Sequence, residues 1–202
     1  MDKRHEDFTV KKLFDIHPTA AYKLTNNDLY STSGTTPVLA NSSFNNGIGG
    51  YIGLEPTEKG GIITFSDTTN GASTMFFQPN DFIGYSHVQG MYPYDSSHWN
   101  EKCCLYFIAS IQRASGCRFD YANKFNRDIV SALKVKLPIQ TDSNDKAIID
   151  TDYFYHEKGY IPDWDYMVEK ITALEVKRIR EIKEEHRREL EAYFKVTGIK
   201  DN

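Results

Sequence analysis

The C-terminal part of the chain carries the longest helical pattern in the sequence. Residues 163–197 contain neither Gly nor Pro, and they are rich in Glu, Lys, Arg, Leu and Ala, which favour helices. Pro162 followed by Asp163 suits a helix start, because an acidic side chain there complements the helix dipole. Gly198 suits its end. The pattern predicts one helix over residues 163–197, a rod of roughly 50 Å at ~1.5 Å per residue.

Apolar side chains form one narrow stripe along this helix, and charges of both signs cover its other faces. The apolar positions recur every ~3.7 residues rather than every 3.5, so they form no strict heptad repeat and strong left-handed supercoiling is not implied. Such a stripe usually lies against another helix. The alternative is that the helix folds back on its own domain, although no other segment predicts a helix of matching length. The contact residues we assign are Met167, Ile171, Leu174, Ile179, Ile182, His186 and Leu190.

The first hundred residues show short apolar runs separated by turn residues, a pattern typical of short strands joined by loops. Val, Ile, Thr and Phe are frequent in these runs, and Asn-Gly between two of them indicates a hairpin. We predict a partly helical lead-in at 8–16, a turn-rich segment with short strands at 17–60, strands at 61–66 and 73–78 joined through Asn70–Gly71, and a strand at 81–88 followed by a loop to residue 100.

Helical spacing returns after residue 100. Cys104, Phe107, Ile108 and Ile111 share one face of a helix that Ser97 or Asn100 would cap. We further predict a short helix within 123–133, capped by Asn123 or Asn126, a strand at 134–139 and a polar connector at 140–161. The fold class is therefore α+β, with a strand-rich globular domain at 1–160 and a long C-terminal α-helix at 161–202.

Length and composition limit the possible classes of protein. The 202 residues, 40% of them hydrophobic, suffice for one well-buried domain and an extension. No apolar run is long enough to span a membrane, and the N-terminal residues lack the apolar core of a signal peptide. Cys103, Cys104 and Cys117 are odd in number and do not have zinc-ligand spacing. We interpret them as reduced thiols of a cytoplasmic protein.

Charge is distributed unevenly along a chain whose net charge is −4. Residues 37–109 hold six acids and two bases, a local charge of −4, whereas residues 110–136 hold six bases and two acids, a local charge of +4. A basic segment in an acidic chain is typical of a polyanion site. The alternative is that these cations pair with the acidic segment, and composition favours neither reading.

Catalytic and metal-binding motifs are absent from the sequence. There is no phosphate-binding loop and no Gly-x-Ser-x-Gly, and the six histidines never approach metal-ligand spacing. Pro162-Asp163 with Glu175-x-Lys177 matches the restriction-nuclease pattern in form. That chemistry needs Glu and Lys on a strand, whereas here they fall on a helix, about 200° apart. We therefore expect no catalytic residue and no metal site.

Several blocks of the sequence are informative through their order and spacing. They are FTVKKLFDI, NNGIGGYIG, GGIITFS, NGASTMFFQPNDF, HVQGMYP, LYFIASI, FDYANKFNRDIVSALKVKLPI and GYIPDWDYMVEKI. Together these blocks resemble the specificity subunits of type I restriction–modification systems. The resemblance covers essentially the whole chain, and LKVKLPI followed by PDWDYMVEKI is its most specific part. Such subunits usually carry two target-recognition domains and two helices that pack antiparallel. This chain resembles half of one, with a single domain and a single spacer helix.

The resemblance implies a non-catalytic protein that recognises double-stranded DNA. It implies a homodimer, formed by an intermolecular antiparallel coiled coil, that reads a bipartite palindromic site. It also implies a methyltransferase subunit as partner, with a restriction/translocase subunit as a further partner of complete systems. S-adenosylmethionine and ATP would belong to those partners, so no cofactor is expected here.

The resemblance also assigns candidate DNA contacts. Phosphate contacts would fall on the basic segment, and base contacts on the loops rich in Asn, Ser, Thr and Gly. The phosphate candidates are Arg113, Arg118, Lys124 and Arg127. The base-reading candidates are Asn45, Asn46, Thr69, Asn70, Ser73 and Tyr92.

Two other functions remain open at the level of sequence. The chain could be the recognition module of a single-chain restriction–methylation enzyme, detached from its catalytic part. It could also be an interaction protein that binds no DNA, in which the coiled coil forms oligomers and the head binds protein.

Overall fold

The computed structural model describes residues 3–68, 71–116 and 125–198. Short strands form the head, and one long helix leaves it. The strands are β1 (His5–Thr9), β2 (Phe14–Pro18), β3 (Ser33–Leu39), β4 (Ile48–Ile52), β5 (Ile62–Ser66), β6 (Phe76–Gln78), β7 (Val88–Pro93) and β8 (Lys134–Pro138). The α-helices are α1 (Asn26–Leu29), α2 (Glu101–Ser115), α3 (Arg127–Ala132) and α4 (Trp164–Thr197). Single 3-10 turns lie at Val10–Lys12, Asn45–Gly47 and Gly71–Thr74.

The strands pair in three antiparallel groups. The largest is a four-stranded sheet in the order β2-β7-β5-β6, and two-stranded ribbons join β1 to β8 and β3 to β4. Pairing of β1 with β8 brings the two ends of the head together, since His5 lies opposite Pro138 and Thr9 opposite Lys134. The predicted pairing of residues 61–66 with 73–78 is confirmed in part: β5 pairs with β6, but β6 spans only Phe76–Gln78, because Gly71–Thr74 form a 3-10 turn. Asn70 of the predicted turn lies outside the described residues.

Two predictions about the strands hold only in part. Residues 8–16, predicted as a partly helical lead-in, contain the 3-10 turn Val10–Lys12, but the unpredicted strands β1 and β2 flank that turn. The strand expected at 81–88 is displaced to β7, in residues assigned to a loop, and β7 pairs with both β2 and β5. Within residues 81–88, two residues instead form isolated β-bridges, Phe82 with Glu58 and Ile83 with Val38.

The predicted helices of the head are confirmed with their caps. The Asn100 side chain accepts a hydrogen bond from the backbone N–H of Cys103 at the start of α2. Asn126 does the same for Ile129 at the start of α3. Each cap satisfies a backbone donor that has no partner within its helix.

The apolar face of α2 packs on the four-stranded sheet to form the main core. Its predicted inward residues Cys104, Phe107, Ile108 and Ile111 are all buried. Aromatic rings fill the layer between helix and sheet, because Phe14 of β2 lies 4.8 Å from Phe107 between ring centroids. This packed layer is the rigid support from which loops and helices project.

Helix α4 begins inside the head. The Asp163 side chain accepts a hydrogen bond from the N–H of Tyr166, and Gly198 ends the helix in the left-handed conformation, with φ of 69°. Trp164 and Met167 are buried in the core of the head. Met167 is therefore not part of the exposed stripe to which we assigned it, because the first turns of α4 pack against α2.

The rest of α4 projects from the head with its stripe uncovered in the single chain. Lys102 of α2 ties the third turn to the head through Thr172 and Glu175, with Nζ–O distances of 2.8 Å to each. Ile171 is half-buried. Beyond it the exposed stripe residues are Leu174, Ile179, Ile182, His186 and Leu190.

Candidate nucleic-acid interface

Three loops meet at one edge of the head, and side-chain hydrogen bonds tie them together. Ser66 Oγ donates to Asn41 Oδ1 at 2.9 Å, and Asn41 Nδ2 donates to the carbonyl oxygen of Ser86 at 3.1 Å. The backbone N–H of Asp67 donates to the carbonyl of His87 at 2.9 Å. We call this surface the loop edge; it comprises residues 40–47, 66–68 and 85–89.

The first of these loops is fixed by two asparagines in the left-handed conformation, Asn45 with φ of 50° and Asn46 with φ of 53°. Asn46 Nδ2 donates to the carbonyl of Phe77 at 3.0 Å, and Gln78 Nε2 donates back to the Asn46 carbonyl at 3.0 Å. Asn45 Nδ2 donates to the carbonyl of Ile48 at 3.1 Å. Both predicted base-reading amides therefore donate hydrogen bonds that shape the loop.

The same loop presents an aromatic side chain to solvent. Phe44 is 79% exposed, and its backbone is held on both sides. Its N–H donates to Ser42 Oγ at 3.1 Å, and its carbonyl accepts from the N–H of Gly47 at 2.9 Å. A rigid turn thus carries an apolar ring outward beside polar groups, the kind of side chain that contacts a thymine methyl.

The other base-reading candidates have different positions. Thr69 and Asn70 lie outside the described residues. Ser73 is exposed in the 3-10 turn Gly71–Thr74. Tyr92 lies in β7 rather than in a loop, where its ring stacks on His17 and its hydroxyl donates to Glu58 Oε2 at 2.9 Å. Burial, and then the hydrogen bond to that carboxylate, raises the pKa of the Tyr92 phenol.

Arg127 borders the loop edge. It lines a shallow depression of about 340 Å³ together with Asp67 and Gln89. Gln89 Nε2 donates to Asp67 Oδ2 at 2.8 Å, and Asp67 Oδ1 lies 3.3 Å from His87 Nδ1. The Arg127 side chain is 47% exposed and meets Asp128 only loosely, at 3.8 Å from Nε to Oδ1. Its guanidinium is therefore accessible next to the loops.

Sequence reasoning missed several polar residues of this surface. Asp67 and Gln89 are polar residues of the loop edge, and His87 projects from it with a side chain that is 62% exposed. His87 also has a φ of 65°, which is uncommon for a residue with a Cβ. The Ser-Asp-Thr-Thr turn was a visible signal for Asp67, whereas no local pattern distinguishes His87 or Gln89.

Arg113 lies in a different place from Arg127. It lines a cleft of about 660 Å³ between α2 and the β1–β8 ribbon. Lys134 and Lys136 of β8 and His5 and Asp7 of β1 line the same cleft, which we call the cation cleft. The structure thus divides the predicted phosphate contacts between two surfaces. Arg118 and Lys124 lie outside the described residues.

Within 3–68, 71–116 and 125–198 no cluster of His, Cys, Asp or Glu could hold a metal ion. Ser97 Oγ and Asp95 Oδ2 both contact His98, but at the same ring nitrogen, Nδ1, at 3.1 and 2.7 Å. A catalytic relay needs these contacts on opposite nitrogens. In the same part of the chain, no helix combines the length and apolarity needed to cross a bilayer.

Comparison with known proteins identifies the family. The model of the type I restriction modification DNA specificity domain matches residues 5–151. No curated protein matches the chain. The crystal structure of the S subunit of a type I restriction–modification system from M. genitalium superposes with a TM-score of 0.52 at 13% identity. That likeness is one of fold; it covers 90% of this chain, which spans 41% of the length of that subunit.

The family match includes every strand of the head together with α2 and α3. Since residues 5–151 are well over half of 202 residues, the chain belongs to the family of type I restriction–modification DNA specificity domains.

Proposed function

We propose that this chain is the DNA-recognition subunit of a type I-like restriction–modification system, and that the loop edge reads its target sequence. The observation that carries the proposal is the loop edge itself. Three loops are locked together there, and they present Phe44, His87 and polar side chains, with the exposed guanidinium of Arg127 beside them. Rigid positioning matters because base discrimination depends on hydrogen-bond geometry in the major groove.

The second part of the proposal is that two chains form a homodimer through α4. Leu174 is 61% exposed, Ile179 52% and Ile182 48%, so a continuous apolar stripe is uncovered in the single chain. A two-fold antiparallel arrangement buries the stripe of each helix on that of the other. It also places one head at each end of the pair, in opposite orientations on the DNA.

The third part concerns partners. The chain directs a methyltransferase subunit to DNA, with a restriction/translocase subunit as a further partner, and S-adenosylmethionine and ATP belong to those subunits. In this scheme methylation and cleavage take place on the partner subunits, and the head of this chain only recognises the target sequence.

The decisive experiment is methylome sequencing in a host without background methylation. The chain is expressed with the methyltransferase encoded beside it, with the methyltransferase alone as control. We expect one modified motif that depends on the chain. Absence of any chain-dependent motif, together with no salt-dependent affinity for duplex DNA, would instead favour an interaction protein that binds no DNA.

The same system separates the remaining alternative. A methyltransferase reading frame fused upstream of this segment would make the chain the recognition module of a single-chain restriction–methylation enzyme. A separate methyltransferase that co-purifies with the chain supports a stand-alone subunit.

A further inference from the structure

The outer face of the β1–β8 ribbon carries charge in a regular pattern. Lys134 and Lys136 are exposed on β8, whereas Val135 and Leu137 between and beside them are buried. Side chains alternate along a strand, so both lysines project on the same side of the ribbon. Asp7 lies opposite Lys136 in the pairing register and is the acid on that face of the cleft.

One face of α2 forms the opposite wall of the cation cleft. Tyr106, Ser110 and Arg113 lie at helical spacing on this face and line the cleft. His5 of β1 joins the two walls, because its Nε2 lies 3.2 Å from the Tyr106 hydroxyl. The cleft therefore has a fixed floor and sides, and its polar lining is dominated by groups that donate hydrogen bonds.

The positive charge of the cation cleft is not neutralised within the described part of the chain. None of Arg113, Lys134 and Lys136 forms an ion pair with an acid in residues 3–68, 71–116 or 125–198. The pKa of the Glu157 carboxyl is lowered, most by a backbone hydrogen bond and least by Lys134, so Lys134 interacts only weakly with this acid. The cleft thus holds three cations and one acid, Asp7. The cations repel one another, so an anionic ligand would be stabilised there.

The cations are spread along a line and do not converge on one point. Lys134 and Lys136 are two residues apart on a strand, which separates their Cα atoms by about 7 Å. The row continues past His5. The Tyr166 ring lies 6.2 Å from the His5 ring between centroids, and the Lys170 ammonium lies 4.9 Å from the centroid of the Tyr166 ring. This extended arrangement suits a row of phosphates better than a single free anion.

We propose that the cation cleft binds successive phosphates of the DNA backbone, through Arg113, Lys134 and Lys136. The proposal rests on the proposed function and adds a second contact surface, distinct from the loop edge. Phosphate contacts supply affinity and orientation without reading sequence. The cleft therefore sets how tightly the subunit holds any duplex, and the loop edge sets which sequence it selects.

The test measures binding of the full chain to a fluorescent 30-base-pair duplex over a range of KCl concentrations. The variants are Lys134→Ala/Lys136→Ala and Arg113→Ala, with Lys146→Ala in the exposed connector as matched control. Each lost phosphate contact should lower the log–log salt slope by roughly 0.9, which corresponds to about five-fold weaker binding at 0.15 M salt. We expect this loss for Arg113→Ala, about twice the slope change for the double variant, and none for Lys146→Ala.

Further variants make the outcome unambiguous. Lys136→Arg keeps the charge and should retain the slope, whereas Asp7→Asn removes the acid of the cleft and should tighten binding. Unchanged slopes in the Ala variants of a chain that still binds DNA would overturn the cleft proposal and leave the proposed function intact. No DNA binding by the unmodified chain would count against the function itself.

An acidic protein surface is the competing occupant, and the same variants detect it. Pull-down with the partner methyltransferase is measured alongside DNA binding. If the Ala variants lost the methyltransferase while their salt slope stayed unchanged, the cleft would be a protein-docking surface and our assignment would be wrong.

Discussion

The indole of Trp164, the first residue of α4, stacks on the imidazole of His98 with ring centroids 4.2 Å apart. Asp95 holds that imidazole through Nδ1 at 2.7 Å and also accepts a hydrogen bond from the Tyr155 hydroxyl at 2.6 Å. The Tyr155 ring meets the indole edge-on at 5.2 Å. The loop before α2 and the connector therefore fix the direction in which the helix leaves the head.

Replacing Trp164 with Ala should destabilise the head strongly. The residue is only 5% exposed, and truncating a buried Trp typically costs about 3–5 kcal/mol in the free energy of unfolding. Tyr94→Ala is the matched control, because that aromatic side chain is 55% exposed and its loss should cost less than about 1 kcal/mol. Urea unfolding followed by fluorescence and circular dichroism compares the two; equal midpoints would contradict the buried joint.

Asp95 should make this joint sensitive to acid. Hydrogen bonds from Ser97 and then from Tyr155 hold the pKa of the Asp95 carboxyl well below its usual range. The unfolded chain then binds the proton more tightly, so the stabilisation is complete above about pH 5 and is lost progressively as the pH falls further. Asp95→Asn should flatten the decline of the unfolding midpoint between pH 5 and pH 2. A variant curve parallel to that of the unmodified chain would exclude this role.

Local signals in the sequence were sufficient for α2, α3 and α4, but not for the single turn of α1, which lies in the segment predicted to hold turns and short strands. Asn100, Asn126 and Gly198 sit where short-range rules place helix ends, and each performs the expected role. The apolar spacing of α2 likewise gave its buried face. These features depend on residues within one or two turns, which the sequence displays directly.

The strands depended on distant partners and were harder to predict. β7 contains Gly90 and Pro93, which weaken its strand pattern, yet it lies between β2 and β5 because both supply partners from elsewhere in the chain. β1 is a strand because β8 pairs with it across the whole head. Context of this kind overrides local propensity.

The candidate site was predicted by composition rather than by geometry. The sequence indicated a basic segment, but only the fold separates Arg113 from Arg127 and sets each beside different neighbours. Asn45 and Asn46 were predicted to read bases, but in the structure their amides hold the loop in shape while Phe44 faces outward.

Arg127 and Phe44 should have separable effects on DNA binding. Arg127→Ala should weaken binding to all sequences equally, with a salt slope lower by roughly 1. Its loose pair with Asp128 contributes at most about 1 kcal/mol, so the free energy of unfolding should hardly change.

Phe44→Ala should leave the salt slope unchanged and alter the preference at one base pair. Salt titrations and methylomes of both variants measure this; loss of stability without a slope change would make Arg127 structural.

Charge placed on the exposed stripe should abolish the proposed dimer. Ile179→Glu/Ile182→Glu puts carboxylates where the two helices would bury their side chains, and burying an unpaired charge is costly. Both residues lie beyond the part of α4 that packs on the head, so the head should remain folded. Arg180→Gln, on another face of the helix, is the control. Light scattering should give monomers for the double variant alone; a monomeric unmodified chain at micromolar concentration would refute the dimer.

The proposed symmetric dimer makes a prediction about the target site. Two identical heads in opposite orientations read the same half-site twice, so the target should be a bipartite palindrome. The first turns of α4 lie on the head, which leaves about 25 residues of free helix, or roughly 38 Å. At ~3.4 Å per base pair this spans about 11 base pairs at most. Since the heads cover part of that distance, we expect an unread gap of roughly 5–8 base pairs.

The length of α4 should set this gap, and the heads should not. Inserting about seven helix-forming residues near residues 183–185 keeps the apolar stripe nearly in phase and lengthens the rod by ~10 Å. The gap should widen by about three base pairs, provided that the altered rotation around the DNA is tolerated, while both half-sites stay the same. Methylome sequencing with the partner methyltransferase reports gap and half-sites together. An asymmetric or continuous motif from the unmodified chain would contradict the antiparallel dimer, because two-fold symmetry requires inverted half-sites.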